Sequence, residues 1–431
     1  IHELTYPIKS ESTCTPITMD SADGARIYRR SVIFLLEIAF SQSFPDGYLN
    51  IDHSVSSGGF YCEVKGRAAL SQAELDTLEK QMRKLVSEDH AFERREVPIQ
   101  EAVDYFTQRG QEDKLRLLKY RRKEYLTLYA FNGLMDYMHG YMTPSTGYLK
   151  WFALKKVNGG FILQYPRRNA PTTLEPLGDY PKLIRTFRQY GNWLETLHID
   201  SVGALNDAIE SGRADEIVLV SEALHEQGIA DTDQHIAEKN SRIILIAGPS
   251  SSGKTTSSRR LAVQLLARGI SPYPLELDHY FIDREKSPRD ENGEHDFEAI
   301  EALDLKRLAR DIEKLISSEE VQLPRFNFKT GRSEDGDVVK LRDGQPLILE
   351  GIHGLNPRLI PDHWAGSAFR IYVSALTQLN LDRHNRVSTT DTRLIRRIVR
   401  DARERGYSAH ATISRWESVR RGEKRHIFPY Q

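Results

Sequence analysis

The chain has 431 residues, 39% hydrophobic and 28% charged, with 60 Lys plus Arg against 61 Asp plus Glu. That apolar content excludes a wholly disordered chain, and the near-neutral balance argues against a polycation that coats nucleic acid or membrane. Cys14 and Cys62 are too few for a disulfide framework or a multi-cysteine zinc site, so the composition predicts a reducing, cytoplasmic setting. The longest apolar run, Val32 to Phe40, is broken by Glu37 and falls short of the ~20 residues a bilayer needs. The first residues lack the basic and then apolar pattern of a secretory leader. A prior of one domain per ~150 residues predicts two or three domains.

Residues 1–24 are Thr/Ser-rich and β-like, and too short to hold a core alone. From Arg26 the pattern turns helical, with Val32, Leu35, Leu36 and Ala39 at spacings of three and four. NIDHSVSSGGFYCEVKG reads as two strands around a Ser-Gly-Gly turn. Ser71 with Glu74 three later is a capping-box signature, followed by an apolar stripe of Leu75, Leu78, Met82 and Leu85. WFALKKV and GGFILQYP predict a hairpin turning near Asn158–Gly160. Helical sequence runs from about Tyr180 to Lys239. The expected division is 1–24, 25–179, a helical connector over 180–240, and a last domain over 241–431. The expected fold class is α/β in that last domain, preceded by an α+β region.

The last domain changes character. RIILIA is a continuous apolar run of the kind buried on both faces of a sheet, and YPLELD, QPLILEG and FRIYVSA repeat it at intervals that suit crossover helices. This predicts a doubly wound parallel sheet. GPSSSGKTT follows the first strand directly and fits G-x-x-x-x-G-K-[ST], with Gly248, Ser250, Ser251, Ser252, Gly253, Lys254, Thr255 and Thr256 as candidate nucleotide contacts. A Gly/Ser loop lets several backbone N–H groups converge on a polyphosphate, with a helix N-terminus behind them. Lys254 adds a cation there, and Thr255 offers a hydroxyl to Mg²⁺. Asp278 and Glu350 end two further strands, where a ligand on an open α/β sheet binds. Either can hold Mg²⁺, and one can take the proton of an attacking hydroxyl. Each could instead cap a helix or turn. Between Arg393 and Arg425 stand eleven Lys/Arg and four Asp/Glu. Arg393, Arg396, Arg397 and Arg400 recur at helical spacing, suited to a transferring phosphoryl group or to a solvated face.

GPSSSGKTT, LDHYF, LPRFNFKTGR, LILEGIHGL and TRLIRRIVRD resemble the uridine kinase and phosphoribulokinase family of P-loop kinases. The resemblance implies ATP and Mg²⁺ as cofactors. It makes Asp278 the general base, gives Thr255, Glu350 and Asp278 to the metal, keeps Lys254 as the phosphate-facing cation of the loop, and makes Arg396, Arg397 and Arg400 those of a lid. It implies an acceptor pocket drawing on Asp278, Tyr280, Glu298, Phe326, Phe328 and Arg332. In that pocket Phe326-Asn327-Phe328 stands where an aromatic-Asp-Phe segment grips the base, Gly331 where a base-reading His belongs, and Glu298 where a sugar-binding Asp belongs. The family continues past FPYQ into a further strand and helix, so the resemblance also implies an incomplete C-terminus.

GARIYRRSVIFLLEIAF and DHSVSSGGFYCEV resemble the additional (editing) domain of threonyl-tRNA synthetases, and residues 1–24 the end of the small TGS-like β-rich domain before it. The editing pairs H-x-x-x-H and C-x-x-x-H fall on Arg30 and Phe34 and on Met138 and Met142, which implies no editing hydrolysis. His53 and His139 are expected to be ordinary polar residues. Lys114, Arg116, Lys119, Arg121, Arg122 and Lys123 form a basic cluster, either a solvated helix flank or an RNA contact. The expected activity is phosphorylation of a small-molecule hydroxyl, first the 5′-hydroxyl of a nucleoside. The alternatives are a sugar or polyol kinase, or an NTP-regulated RNA-binding protein.

Overall fold

The computed structural model describes residues 1–55, 58–178, 181–290, 293–377 and 379–430. Two compact units divide them: Ile1–Ala214 with Thr377–Val387, and Asp215–Leu376 with Ser388–Gln431.

The first unit is α+β. Helix α1 (Ala22–Ser43) begins where the Ser21 hydroxyl accepts from the Gly24 N–H at 3.0 Å. There follow β1 (Tyr48–Val55), β2 (Gly59–Lys65), α2 (Gln72–Glu88), β3 (Glu93–Pro98), α3 (Ile99–Gln108) and α4 (Glu112–Lys119). After them come β4 (Tyr125–Phe131), β5 (Leu134–Asp136), β6 (Ala153–Val157), β7 (Gly160–Gln164), α5 (Pro181–Thr196) and α6 (Val202–Glu210). One antiparallel sheet has the order β1-β2-β7-β6 and a second the order β3-β4-β5. The apolar stripes of α1 and α2 meet strands β1, β2, β6 and β7 in one core that includes Val32, Leu35, Leu36, Leu75, Leu78, Met82 and Leu85. Phe34, Met138 and Met142 belong to that core. Among the described residues no strand pairs with the segment 1–20, which is turn and irregular chain rather than β. Ser56 and Ser57 of the expected Ser-Gly-Gly turn, and Tyr180, lie outside the described residues.

The second unit is α/β. It runs through α7 (Ala214–Glu238), β8 (Ile243–Ala247), α8 (Lys254–Ala267), β9 (Tyr273–Glu276), α9 (Leu305–Ile316), β10 (Glu320–Asn327) and β11 (Arg332–Lys340). Then come β12 (Leu347–Glu350), α10 (Asp362–Ala365), β13 (Phe369–Tyr372), α11 (Thr389–Arg400) and α12 (Ala409–His426). Strands β13-β8-β12-β9 form a parallel sheet, and β10-β11 a separate antiparallel hairpin. Every residue of β8 and β12 is buried, as their unbroken apolar sequence requires of central strands. No helix among the described residues is long and apolar enough to cross a membrane.

The capping box at α2 is complete. Ser71 Oγ accepts from the Glu74 N–H at 3.2 Å, and Glu74 Oε2 accepts from the Ser71 N–H at 2.8 Å. Ser71→Ala is expected to cost about 1 kcal/mol and to speed hydrogen–deuterium exchange of the first-turn amides of α2. Unchanged exchange there would deny the box its role.

Candidate active site

Three chain segments end at one level of the parallel sheet. Glu350 is in register with Ile246 of β8 on one side and with Glu276 of β9 on the other. Two residues beyond Ile246 stands Gly248, and two beyond Glu276 stands Asp278. Glu350 is therefore set between the glycine loop and Asp278. Gly248 has φ +157°, and a Cβ there would lie 2.1 Å from the Val373 carbonyl oxygen. Only glycine lets the chain leave β8 this close to β13. Gly253, at φ +106°, turns the loop into α8. The hydroxyls of Ser251 and Ser252 are buried and make no hydrogen bond among the described residues, an unmet capacity that a phosphate would fill.

Thr255 Oγ1 donates to Glu350 Oε2 at 2.9 Å, and Lys254 Nζ lies 3.9 Å from Glu350 Oε1 and 3.4 Å from the Pro249 carbonyl. Burial pulls the Lys254 ammonium below its ordinary value, with Glu350 and Asp278 opposing. Burial likewise pushes the Glu350 carboxyl up, against the pull of Lys254 and Thr255. Both charges are thus under-compensated in the protein alone. A hydroxyl, a carboxylate and a second carboxylate at Asp278 make an oxygen donor set that suits Mg²⁺, and Lys254 suits a polyphosphate.

Helix α11 lies against the loop. Arg393 Nε donates to the Ser250 carbonyl at 3.0 Å, Arg396 Nε to the Ser251 carbonyl at 3.1 Å, and Arg397 to Ser250 Oγ at 3.0 Å. The chain then makes one π-helical turn, Asp401–Arg405. Asp401 there pairs with Arg397 at 3.3 Å, Arg400 at 3.1 Å and Arg405 at 3.6 Å. Arg393 is buried against Glu423, with the Trp416 ring beneath it. Of the expected cations, Arg396 and Arg397 bond to the loop and Arg400 comes within Coulombic reach of Lys254, while Arg393 both meets the loop and pins α11 to α12.

The acceptor side is assembled in part. Glu298 lies within Coulombic reach of Arg397, Lys254 and Asp278, and its Oε2 is buried without a hydrogen bond among the described residues. A Cβ on Gly422 would sit 2.3 Å from Glu298 Cβ, so α12 closes directly over this residue. Burial, reinforced by Glu423, pushes the Glu298 carboxyl up to about 7 against the pull of Arg397. Phe281, Phe326 and Phe328 form an edge-to-face trio with ring centroids 5.1–6.5 Å apart. Tyr280 is not brought to this cluster: it is buried and its hydroxyl donates to Asp311 Oδ2 at 3.2 Å. Arg332 is exposed, in register with Asn327 and near Asp283. Asn327 is spent on its own turn: Oδ1 accepts from the N–H groups of Lys329 and Thr330, and Nδ2 donates to Glu334. Gly331, at φ +72°, packs on Arg284.

Sequence reasoning missed two residues here. Arg405 sits 5.9 Å from the Phe328 ring within reach of Asp278, and burial lowers its pKa. His353 is buried, and burial together with His426 pulls it down to about 4. The spacing of the arginine run could have flagged Arg405; nothing local flags His353.

Because the Glu298 pKa is raised from 4.5 to about 7, the folded state keeps a proton that the unfolded chain releases between those values. Its contribution to stability is fully present below about pH 4.5 and is lost as pH rises to about 7. Glu298→Gln should therefore gain in Tm on the wild type between about pH 5 and 8, with no difference at the acid end. A pH-independent difference would refute the buried proton.

Residues 243–430 match the Phosphoribulokinase / Uridine kinase family. The N-terminal region matches threonine–tRNA ligases. That of Acidovorax sp. is 32% identical over 212 residues, 46% of this chain and 33% of that protein. Threonine–tRNA ligase 2 of Bacillus subtilis is 29% identical over 160 residues, 37% of this chain and 25% of that protein. The chain spans about a third or less of the length of these relatives. A Silicibacter sp. structure provisionally named a fructose transport system kinase aligns at 20% identity and TM-score 0.34, over 46% of this chain and 95% of that one. A possible uridine kinase from Bacillus stearothermophilus aligns at 24% identity and TM-score 0.25, over 30% and 68%.

Proposed function

We propose that the second unit is an ATP- and Mg²⁺-dependent kinase of a small-molecule hydroxyl, with the 5′-hydroxyl of a nucleoside as the first acceptor to test. The carrying observation is the junction of Thr255, Glu350 and Lys254 at the mouth of the Gly248–Thr255 loop, one strand away from Asp278. The family match of residues 243–430 supports the same reading.

When bound, ATP supplies the γ-phosphoryl group and Mg²⁺ the charge that offsets its oxygens. In this reading the loop amides and Lys254 hold the phosphates, and Thr255 and Glu350 hold the cation. Asp278 takes the proton of the acceptor hydroxyl as its oxygen bonds to phosphorus and the bond to the departing diphosphate breaks. Arg396, Arg397 and Arg400 face the transferring group and keep water from it. Glu298, neutral below about pH 7, can donate a hydrogen bond to an acceptor oxygen.

A sugar or polyol as acceptor is the second reading, favoured by one observation: Asn327 is consumed in its own turn and Gly331 brings no side chain, so this segment offers little to read a base. An RNA-binding role finds less support. In the 114–123 cluster Lys114 is buried, Arg116 and Lys119 pair with Asp207, and Arg121 donates to the Tyr125 carbonyl. Absence of editing hydrolysis is consistent with Phe34, Met138 and Met142 serving as core side chains and with Arg30 binding the Tyr141 carbonyl.

Asp278→Asn is expected to lower phosphoryl transfer on the order of 10²–10⁴-fold while ATP affinity by calorimetry stays within about twofold. Transfer is read on a panel of nucleosides, sugars and polyols. Near-normal turnover in this variant would remove Asp278 as the base.

A further inference from the structure

The first unit buries a set of charges that the kinase reading does not use. Glu37 comes from α1, Asp136 from the end of β5, and His384 from the Thr377–Val387 segment. All three are buried, and one ligand atom of each lies within 4.8 Å of the others. His384 Nδ1 is hydrogen-bonded to Asp136 Oδ2 at 2.8 Å and lies 3.4 Å from Glu37 Oε2, so a metal bound here would displace the proton between Nδ1 and Asp136. Two ligands on one tetrahedral zinc, with bonds of ~2.0–2.2 Å, stand ~3.3 Å apart. Glu37 is 7% exposed; its Oε2 accepts no hydrogen bond among the described residues, and the polar groups facing its carboxylate are Asp136 and His384. An ionised carboxylate left so would carry a large desolvation cost.

We infer that Glu37 Oε2, Asp136 Oδ2 and His384 Nδ1 are the ligands of a buried divalent ion of the zinc type. Lys114 does not fill the position. It pairs with the other oxygen of Asp136, Oδ1, and lies 3.4 Å from Asp382 Oδ1. Taken together, the carboxylates of Glu37, Asp136 and Asp382 are offset by Lys114, which touches both Asp136 and Asp382, and by a dication, with His139 3.8 Å from Asp382.

The supports around the ligands favour a built site. Asp382 Oδ1 accepts from the N–H groups of His384 and Asn385, both at 2.9 Å. Asn385 donates to the Tyr137 carbonyl at 2.8 Å, and Arg383 pairs with Asp113 at 3.0 Å. The segment is thereby fixed on both sides of His384, which holds the ring in place before an ion arrives. A mixed oxygen and nitrogen set suits Zn²⁺ better than Mg²⁺. Three protein ligands leave the fourth tetrahedral position to a water, and with all three buried the ion pins the segment to α1 and β5.

The test uses the full chain, stripped with EDTA, held in excess Mg²⁺ so that the nucleotide site is occupied, loaded with Zn²⁺ and desalted. Plasma mass spectrometry should count about one zinc per chain, and thermal melting should rise with loading. Glu37→Gln and His384→Asn should each weaken retention at least tenfold, whereas Thr255→Ala should keep the full equivalent. No stoichiometric zinc in the wild type overturns the inference, as does full retention in either folded variant or loss in Thr255→Ala. If the variants do not fold, X-ray absorption at the zinc edge of the wild type decides. A shell of nitrogen and oxygen with one imidazole is expected, and a sulfur shell would move the ion to a cysteine and refute the site.

Discussion

The geometry of the second unit depends on one backbone constraint, the passage of Gly248 past the Val373 carbonyl. Strands β8 and β13 run parallel, so the chain leaving β8 must turn beside the end of β13. A side chain at 248 would sit 2.1 Å from that carbonyl and push the loop off the sheet. With glycine the loop closes tightly enough for Thr255, on the first turn of α8, to meet Glu350 at the end of β12. The register of β12 between β8 and β9 then fixes where Asp278 stands. Three separate parts of the sequence reach one locus because backbone hydrogen bonds of a parallel sheet set their heights, and side-chain packing only refines them.

Electrostatics divides the site into two halves. On the sheet side Glu350 stands 3.9 Å from Lys254, too far for a firm bridge, and Asp278 acts on Lys254 through its field. On the α11 side arginines outnumber their partners, and Asp401 alone pairs with three of them. The π-helical turn that carries Asp401 redirects the chain so that Arg405 comes near Phe328 and Asp278. Such turns concentrate where a helix must aim side chains that regular geometry cannot. The surplus of cations against unmet loop hydroxyls is what a polyanion would balance.

What the sequence made legible follows from how local each signal is. The Ser71 and Glu74 box, the stripe from Leu75 to Leu85 and the strand preceding Gly248 are encoded within a few residues, and the structure has them where the pattern puts them. Tyr280 misled because LDHYF gives the order of residues but not the turn after β9, where a 3₁₀ helix sets Asp278 and Tyr280 on different faces and buries Tyr280. Lys114 read as one more cation on a basic helix, since its partners Asp136 and Asp382 are 22 and 268 residues away in the chain. Glu37 read as an interruption in an apolar run, although burial at a helical position among apolar neighbours is itself a signal of a partner or a ligand.

The distribution of those long-range pairs also bears on what counts as a unit. Residues Thr377–Val387 lie in sequence between β13 and α11 but belong to the first unit. Asn380 donates to the Ile51 carbonyl, Arg386 to the Asp52 carbonyl, and the Ile51 N–H to the Arg383 carbonyl. A fragment ending before residue 377 would leave Lys114, Asp136 and Asp113 buried without Asp382, His384 and Arg383. Removing one side of a buried ion pair costs several kcal/mol, far more than breaking an exposed pair. For the second unit, closing an eleven-residue excursion is entropically mild. The first unit therefore needs the distant segment more than the second needs to shed it, and its stability is written in two parts of the chain that no contiguous boundary separates.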